Sequence, residues 1–413
     1  MVAVASFDNS GIVVILRVWS VSPPDRELLL TRRRFAQHYS VLFALWTAVT
    51  SVGPLAGQVV PILPVRRDLR IDGDVADLSR IVHLAVAHDG TIIVAQPDDH
   101  HLRFFSPTGK EVGRFGRRGE GPGEFQSMGV YAGWVGESFW QGNVWPARLV
   151  VLDRERALLR SLTLPPLRPQ TRLLFHTVIG LQANADVVIQ GTLARAQSNP
   201  SWAMGIRDSL ATVVLRVDSS GMLRSVIAVA PEPEAGCMTS VNGRQRPAPE
   251  CLKWYGSISP NSDRYTWVQP RIGAGTSGTM RVTSIRVSGD TAYARDIPIP
   301  LERITTRQAD SIRTARISGA SGEQLKQDYA AMKLPTFFRP VHGIVAGSDG
   351  RTWIALRAQG SERTWLVLSP VGAVVGRVRV PENVRVVVAD ATHFWGIVTD
   401  RDGIQSVVRY RIG

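Results

Sequence analysis

The chain has 413 residues, of which 44% are hydrophobic and 20% charged, as in ordinary globular proteins. This composition excludes a disordered tail, a collagen and a multi-pass membrane protein, and two cysteines exclude a disulfide-rich scaffold. The 37 glycines and 25 prolines favour a chain with many turns over a helical bundle.

The net charge of +13 raises the question of nucleic-acid binding. Only four of the 48 basic residues are lysines, and the arginines are spread along the whole chain. An evenly spread excess does not form the concentrated basic patch that follows a phosphate backbone. We therefore expect no nucleic-acid partner, although such a protein will bind anionic polymers or lipid surfaces weakly.

The N-terminal part is predicted to be an export signal with its core at about 32–57. Thr31–Phe35 contains three arginines, as in a twin-arginine signal, and Val41–Val49 is a short apolar run. Small residues follow at Gly53–Gly57, which completes the pattern of a secretory signal. The apolar run is shorter than the ~20 residues that span a membrane. An uncleaved anchor over Ser40–Gln58, with peripheral or N-terminal membrane contact, remains the alternative.

We therefore divide the chain into an extension and signal segment at 1–57 and a single folded domain at 58–413. Export predicts a periplasmic or extracellular location, where thiols oxidise. Cys237 and Cys251 flank a stretch rich in proline, glycine and arginine, and they are candidates for a disulfide. Two free buried thiols are the alternative.

One local pattern recurs six times along the folded part. Polar turn residues, in two copies Asp-Gly, lead into a short run of β-branched or aromatic residues. Asp-Gly supplies the positive φ of a tight hairpin turn, and such side chains fit a pleated sheet. The six copies begin at Asp89, Gly136, Asn184, Asp263, Asp349 and Asp390. Their recurrent tryptophans (Trp140, Trp267, Trp353 and Trp395) favour packing between repeats over a platform for sugars.

Two longer copies show that each repeat contains four short strands. Residues 83–115 and 342–378 match along their length, down to the turns Ser-Pro-Thr-Gly and Ser-Pro-Val-Gly. Four-stranded units repeated every ~40–50 residues predict an all-β, six-bladed β-propeller of antiparallel blades. The predicted blades are 80–117, 128–165, 172–231, 251–300, 339–381 and 384–413. The last blade lacks one strand, which we expect Asp68–Ile71 to supply, closing the ring.

Three insertions interrupt the pattern, at 191–211, 232–250 and 301–338. The third, between blades 4 and 5, is predicted to be helical. Ser321 and Gln324 have the spacing of a capping box, and Leu325, Tyr329 and Met332 follow at helical spacing. We expect this helix to cover one face of the propeller, and a lid over the channel is the alternative.

The segment Phe115–Phe125 reads Phe-Gly-Arg-Arg-Gly-Glu-Gly-Pro-Gly-Glu-Phe. It resembles the junction Gly-x-x-Gly-x-Gly-Pro-Gly-Glu-Phe of exported bacterial six-bladed propellers, a group similar to NHL-repeat and TolB-like proteins. The Pro-rich stretch Leu334–Pro340 before an Asp-Gly-x-x-Trp blade fits the same group. The resemblance implies a propeller fold and an exported location, and it implies no reaction.

His83 and His342 occupy matching places on the first strands of two blades. First strands line the central channel of a propeller, so the two imidazoles are candidate ligand-binding groups. Enzymes that resemble lactonases or lyases hold a divalent ion with such groups. The equivalent strands offer Val178 and Ser257 and no carboxylate, which favours structural histidines. We predict no cofactor and no metal ligand set, and a divalent cation in the channel is the alternative.

Two glycine-rich loops are weaker candidates. The glycines and Pro122 of the junction favour a tight turn between blades, and an anion or carboxylate site on Arg117 and Arg118 is the alternative. Gly273–Gly278 has the letters of a dinucleotide fingerprint, but a strand pattern follows where the fingerprint requires a helix. We expect a hairpin loop there.

No His-Glu-x-x-His and no Gly-x-Ser-x-Gly motif occurs in the sequence. The predicted function is therefore a non-catalytic ligand- or protein-binding scaffold outside the cytoplasm, as a monomer. A metal-dependent hydrolase or lyase, similar to lactonases and working in the central channel, is the alternative. The sequence does not identify the protein or small molecule that is bound.

Overall fold

The structure, a computed structural model, describes residues 60–413 except 146, 165–166, 168–172, 194–210, 231–237, 242, 248, 252–254 and 274–276. The chain enters the described part through β1 (Ile62–Leu63) and β2 (Val65–Ile71). Six sheets, each built on four antiparallel strands, form the blades, and β1 adds a fifth strand to one of them. This arrangement confirms the predicted six-bladed β-propeller.

Blades 1 to 3 hold twelve strands in simple meander order. They are β3 His83–Val86, β4 Ile92–Gln96, β5 His101–Phe105, β6 Glu111–Phe115, β7 Ser127–Val135, β8 Ser138–Trp145, β9 Arg148–Leu152, β10 Leu158–Thr163, β11 Leu173–Leu181, β12 Val187–Leu193, β13 Thr212–Val217 and β14 Leu223–Ala230.

The remaining strands form a small hairpin and blades 4 to 6. They are the hairpin β15 Met238–Val241 and β16 Arg244–Pro247, then β17 Tyr255–Ile258, β18 Arg264–Ile272, β19 Ser277–Arg286, β20 Thr291–Pro300, β21 Val341–Ala346, β22 Thr352–Gln359, β23 Glu362–Leu368, β24 Val374–Pro381, β25 Val384–Ala389, β26 His393–Thr399 and β27 Gln405–Ile412. β18 and β19 pair in antiparallel register from Arg264 with Arg286 to Ile272 with Gly278, so a strand stands where a dinucleotide fingerprint would require a helix. Residues 274–276 of the predicted hairpin loop lie outside the described residues.

The ring is closed by the N-terminal strand, as predicted. β2 pairs antiparallel with β27, with Val65 opposite Ile412 and Ile71 opposite Val407. β1 pairs in parallel with β24, the outer strand of blade 5. Residues 62–71 therefore cover the outer edges of two neighbouring blades, where unpaired backbone groups would otherwise be exposed.

The tryptophans of the repeat pack between blades. Trp353 is 1% exposed and lies in a core shared by blades 5 and 6, where its ring centroid is 5.8 Å from that of Phe394. Trp140 is fully buried in a core shared by blades 2 and 3, and Trp395 is buried between blades 6 and 1. Trp267 is half-buried beside the core of blades 3 and 4. The predicted packing role is confirmed at these positions.

The insertion between blades 4 and 5 contains two helices, α1 (Thr306–Ser318) and α2 (Glu323–Ala331). The predicted capping box at Ser321 and Gln324 is wrong, because α2 starts after Gly322 and has no side-chain cap. The capping box is on α1, between Thr305 and Gln308. No helix in the described part of the chain is both long and apolar enough to cross a membrane.

Candidate functional site

The first strands of the six blades surround a central cavity. Neighbouring first strands contact each other around the ring in the order β11, β7, β3, β25, β21, β17. All but β11 line a cavity of about 430 Å³. Because every blade starts with this inner strand, side chains far apart in the sequence meet at one place.

The wall of the cavity is mostly aliphatic. Val86, Ile258, Ile344 and Val387 contribute to it from four different blades, and Trp134 adds an aromatic surface. Among the described residues that form the wall there is no aspartate or glutamate. A concave apolar wall with few polar groups is typical of a small-molecule binding site.

Arg385 is the cationic group of this wall. It lies on β25 between Val384 and Val386, which are both buried, and its Nη2 donates to the carbonyl of Ile81 at 3.1 Å. Burial lowers the pKa of Arg385, although its side chain remains accessible through the cavity. Among the described residues, no carboxylate forms an ion pair with it.

His83 is the first residue of β3 and also lines the cavity. Burial lowers the pKa of His83 to about 4, and the nearby charge of Arg385 acts in the same direction. A hydrogen bond with the backbone of Val130 opposes this effect. The imidazole is therefore neutral at neutral pH.

His342 has different surroundings from those of His83. Its Nε2 lies 3.1 Å from the carbonyl oxygen of Arg339, at the start of blade 5. Burial lowers the pKa of His342 to about 4, with further contributions from Arg339 and Arg363. His342 is not part of the wall of the central cavity.

Within the described ranges, no three His, Cys, Asp or Glu side chains lie close enough together to hold a metal ion. Ser257, at the place equivalent to the two histidines, accepts a hydrogen bond from the backbone N–H of Ala346 at 3.1 Å. It joins blades 4 and 5 and lines the cavity between them.

The junction loop forms a turn around Glu124, and Arg148 of β9 donates to the backbone carbonyls of Glu120 and Glu124. The Glu124 carboxylate pairs with Arg117 at 2.7 Å and accepts the backbone N–H of Gly121 at 2.8 Å. Gly116 has φ +97°, and a Cβ atom there would come within 2.6 Å of the Phe125 ring, so the position requires glycine. Arg118 is bridged to Phe125 through its backbone. These contacts give the loop a structural role, and its arginines do not reach the central cavity.

Of the two cysteines, Cys251 is 3% exposed. Cys237 lies outside the described residues, so the disulfide between them remains a prediction.

A second pocket of about 330 Å³ lies between blades 1 and 2. Phe104 and Phe139 form its buried floor, and the guanidinium of Arg156 lies 5.6 Å from the centre of the Phe104 ring. Its rim carries charges of both signs, including Asp89 near Arg156. Trp134 belongs to the walls of both this pocket and the central cavity.

No protein-family model matches the sequence, and no curated protein matches it. Several solved structures are similar over most of their length. A member of the DUF4221 family from Bacteroides vulgatus is 8% identical, with a TM-score of 0.45, over 85% of this chain and 98% of that one.

Two further solved structures are also similar to this chain. A protein of Bacteroides fragilis described as exported is 11% identical over 86% of this chain and 98% of that one, with a TM-score of 0.40. A gluconolactonase from Xanthomonas campestris is 11% identical over 86% of this chain and 99% of that one, with a TM-score of 0.37. At these identities the similarities say nothing about activity, and the fold assignment rests on the strand order itself.

Arg385 was not identified from the sequence. The sequence feature that could have identified it is an arginine inside the apolar run Val384-Arg385-Val386-Val387-Val388, at the start of the first strand of a blade. A charged residue in such a run has to face a cavity or a partner, because burial without either is costly.

Proposed function

We propose that this protein is a non-catalytic binding protein that acts outside the cytoplasm and holds a small molecule in its central cavity. The observation that carries the proposal is the cavity formed by five first strands, whose wall is mostly aliphatic and has His83, Tyr131, Ser257, Ser348 and Arg385 as its polar side chains. Such a wall removes apolar ligand surface from water, which supplies binding free energy without any reacting group.

A neutral apolar fluorophore tests this function without assuming a charge on the ligand. We expect N-phenyl-1-naphthylamine to bind chain 60–413 in a 1:1 complex. Val387→Phe fills part of the cavity and should weaken binding by about tenfold or more, since it removes space that the probe needs. Val375→Phe is the matched control, because Val375 is exposed on the outer strand β24.

Circular dichroism of both variants shows whether the fold is retained. The proposal is contradicted if a folded Val387→Phe variant binds the probe as tightly as the unaltered chain. It is also contradicted if the purified protein holds one tightly bound metal ion per chain that is lost in His83→Ala, because the hydrolase or lyase would then be favoured.

We also propose that the protein is exported and that it is related to NHL-repeat and TolB-like propellers. The arginine run and apolar segment before residue 58 support export. The turn at Phe115–Phe125 between blades 1 and 2 is compatible with the resemblance to NHL-repeat and TolB-like propellers. Mass spectrometry of the exported protein should find the N-terminus near residue 58. A chain that retains residues 40–58 would support an uncleaved anchor instead.

A further inference from the structure

The charge of the cavity wall restricts the chemical class of the ligand more than the shape of the cavity does. Arg385 brings one positive charge to the wall, and no acidic side chain among the described lining residues balances it. His83, the other basic residue of the wall, is neutral at neutral pH. The cavity therefore has a charge of +1 in mostly aliphatic surroundings.

A guanidinium in such surroundings has unused donors. Arginine carries five N–H donors, and within the described part of the chain one hydrogen bond is made, by Nη2 to the carbonyl of Ile81. Among the described residues, no other acceptor receives a hydrogen bond from this guanidinium. A ligand carboxylate supplies two oxygen acceptors in the geometry that a guanidinium fits, and it cancels the charge.

The single charge also discriminates among anions. A phosphate or dicarboxylate would bring a second negative charge into a wall that has no second cation among its described residues, and burying an uncompensated charge is unfavourable. A neutral ligand would leave the arginine uncompensated. An apolar body next to one carboxylate satisfies both the wall and Arg385.

We infer that the ligand of the central cavity is an apolar organic monocarboxylate whose carboxylate is held by Arg385. This inference rests on the proposed function. It adds the chemical class of the ligand and its anchoring residue, and it can fail while the cavity still proves to be a binding site.

Displacement of N-phenyl-1-naphthylamine from chain 60–413 tests the inference with matched acids and amides. Octanoate and 4-phenylbutyrate should displace the probe at concentrations at least about tenfold lower than octanamide and 4-phenylbutanamide, as expected for a charge-assisted hydrogen-bonded pair. Arg385→Met should bring each acid to within about twofold of its amide. Arg385→Lys should retain part of the preference, because it keeps the charge but loses the planar fork.

Arg401→Met is the control for net charge, since Arg401 is exposed in the turn between β26 and β27. It should keep the full preference for the acids. Probe binding by Arg385→Met shows that the cavity has formed in that variant.

These measurements distinguish failure of the proposed function from failure of the inference about the ligand. If the probe does not bind the unaltered chain, the proposed function is wrong. If the probe binds but acid and amide displace it equally well, or succinate or inorganic phosphate displaces it better than octanoate does, the inference is wrong and the binding site stands. Retention of the acid preference in Arg385→Met would overturn the assignment of Arg385 as the anchor.

Discussion

Arg385 and His83 stand on neighbouring first strands, and their environments give them opposite properties. The arginine keeps its charge although burial lowers its pKa, because its usual pKa lies far above neutrality. The histidine loses its charge, because burial moves its pKa from 6.5 to about 4. One cation and one neutral imidazole therefore occupy the same wall at neutral pH.

The histidine makes stability depend on pH. Between pH 6.5 and about 4, the unfolded chain binds a proton at His83 and the folded chain does not. Stability is therefore lost as pH falls through this window, by about 2 kcal/mol at pH 4.5 for this residue. Urea unfolding of His83→Gln should show a shallower decline from pH 7 to 4.5 than the unaltered protein.

His88→Gln is the matched control for this measurement, because His88 is exposed in the turn after β3. The carboxylates titrate in all three chains, so the difference between the curves isolates the imidazole. Parallel pH profiles for His83→Gln and the unaltered chain would show that His83 is not kept neutral by the fold. The charge of Arg385 on β25 and the backbone of Val130 on β7 both act on the pKa of His83.

At the scale of elements, two insertions are joined by an ion pair away from the central cavity. Asp328 of α2 is completely buried and pairs with Arg246 of β16 at 2.6 Å. Gln324 of the same helix donates to the other carboxylate oxygen at 3.2 Å. None of residues 301–338 lines the central cavity, and the ion pair attaches α2 to the hairpin β15–β16.

Asp328→Asn should open this contact. Breaking a buried ion pair from one side leaves the other charge uncompensated and costs about 3–5 kcal/mol. We expect faster hydrogen exchange in α2 and in the hairpin at 238–247, with little change in blade 5. Asp310→Asn, in an exposed pair with Arg313 on α1, should cost less than about 1 kcal/mol. Equal effects of the two substitutions would contradict the structural role of Asp328.

The elements also show what can be predicted from sequence and what cannot. The blades were predictable because turn residues and β-branched residues alternate locally in every repeat. Helix α1 is harder to predict, since none of its residues is buried and its hydrophobic periodicity is weak. Its capping box at Thr305 and Gln308 therefore stands without an apolar pattern behind it. The cavity depends on contacts between distant strands, so the role of Arg385 required the folded ring.

At the scale of the whole molecule, the ring depends on residues 60–71. A chain that begins at residue 72 lacks the fourth strand of blade 6 and leaves the outer edge of β27 unpaired. We expect 72–413 to unfold at a lower urea concentration than 60–413 and to be cut by protease within β25–β27. A synthetic peptide of residues 60–72 should restore protection in trans. Identical unfolding midpoints for the two chains would show that closure contributes nothing to stability.

The pairing of β2 with β27 also sets an order of events during folding. Arg70 donates from Nη2 to Ser406 Oγ at 3.1 Å across 336 residues of chain. The entropy of closing so long a loop has to be offset before this contact contributes stability, and contacts of long sequence separation slow folding. Blades 1 to 5 can each form from local hairpins as the chain emerges, but β2 has no partner until residues 405–412 have been made. β2 lies near the start of the fold but is thus among the last strands to be paired, and until then the chain exposes a strand edge prone to aggregation.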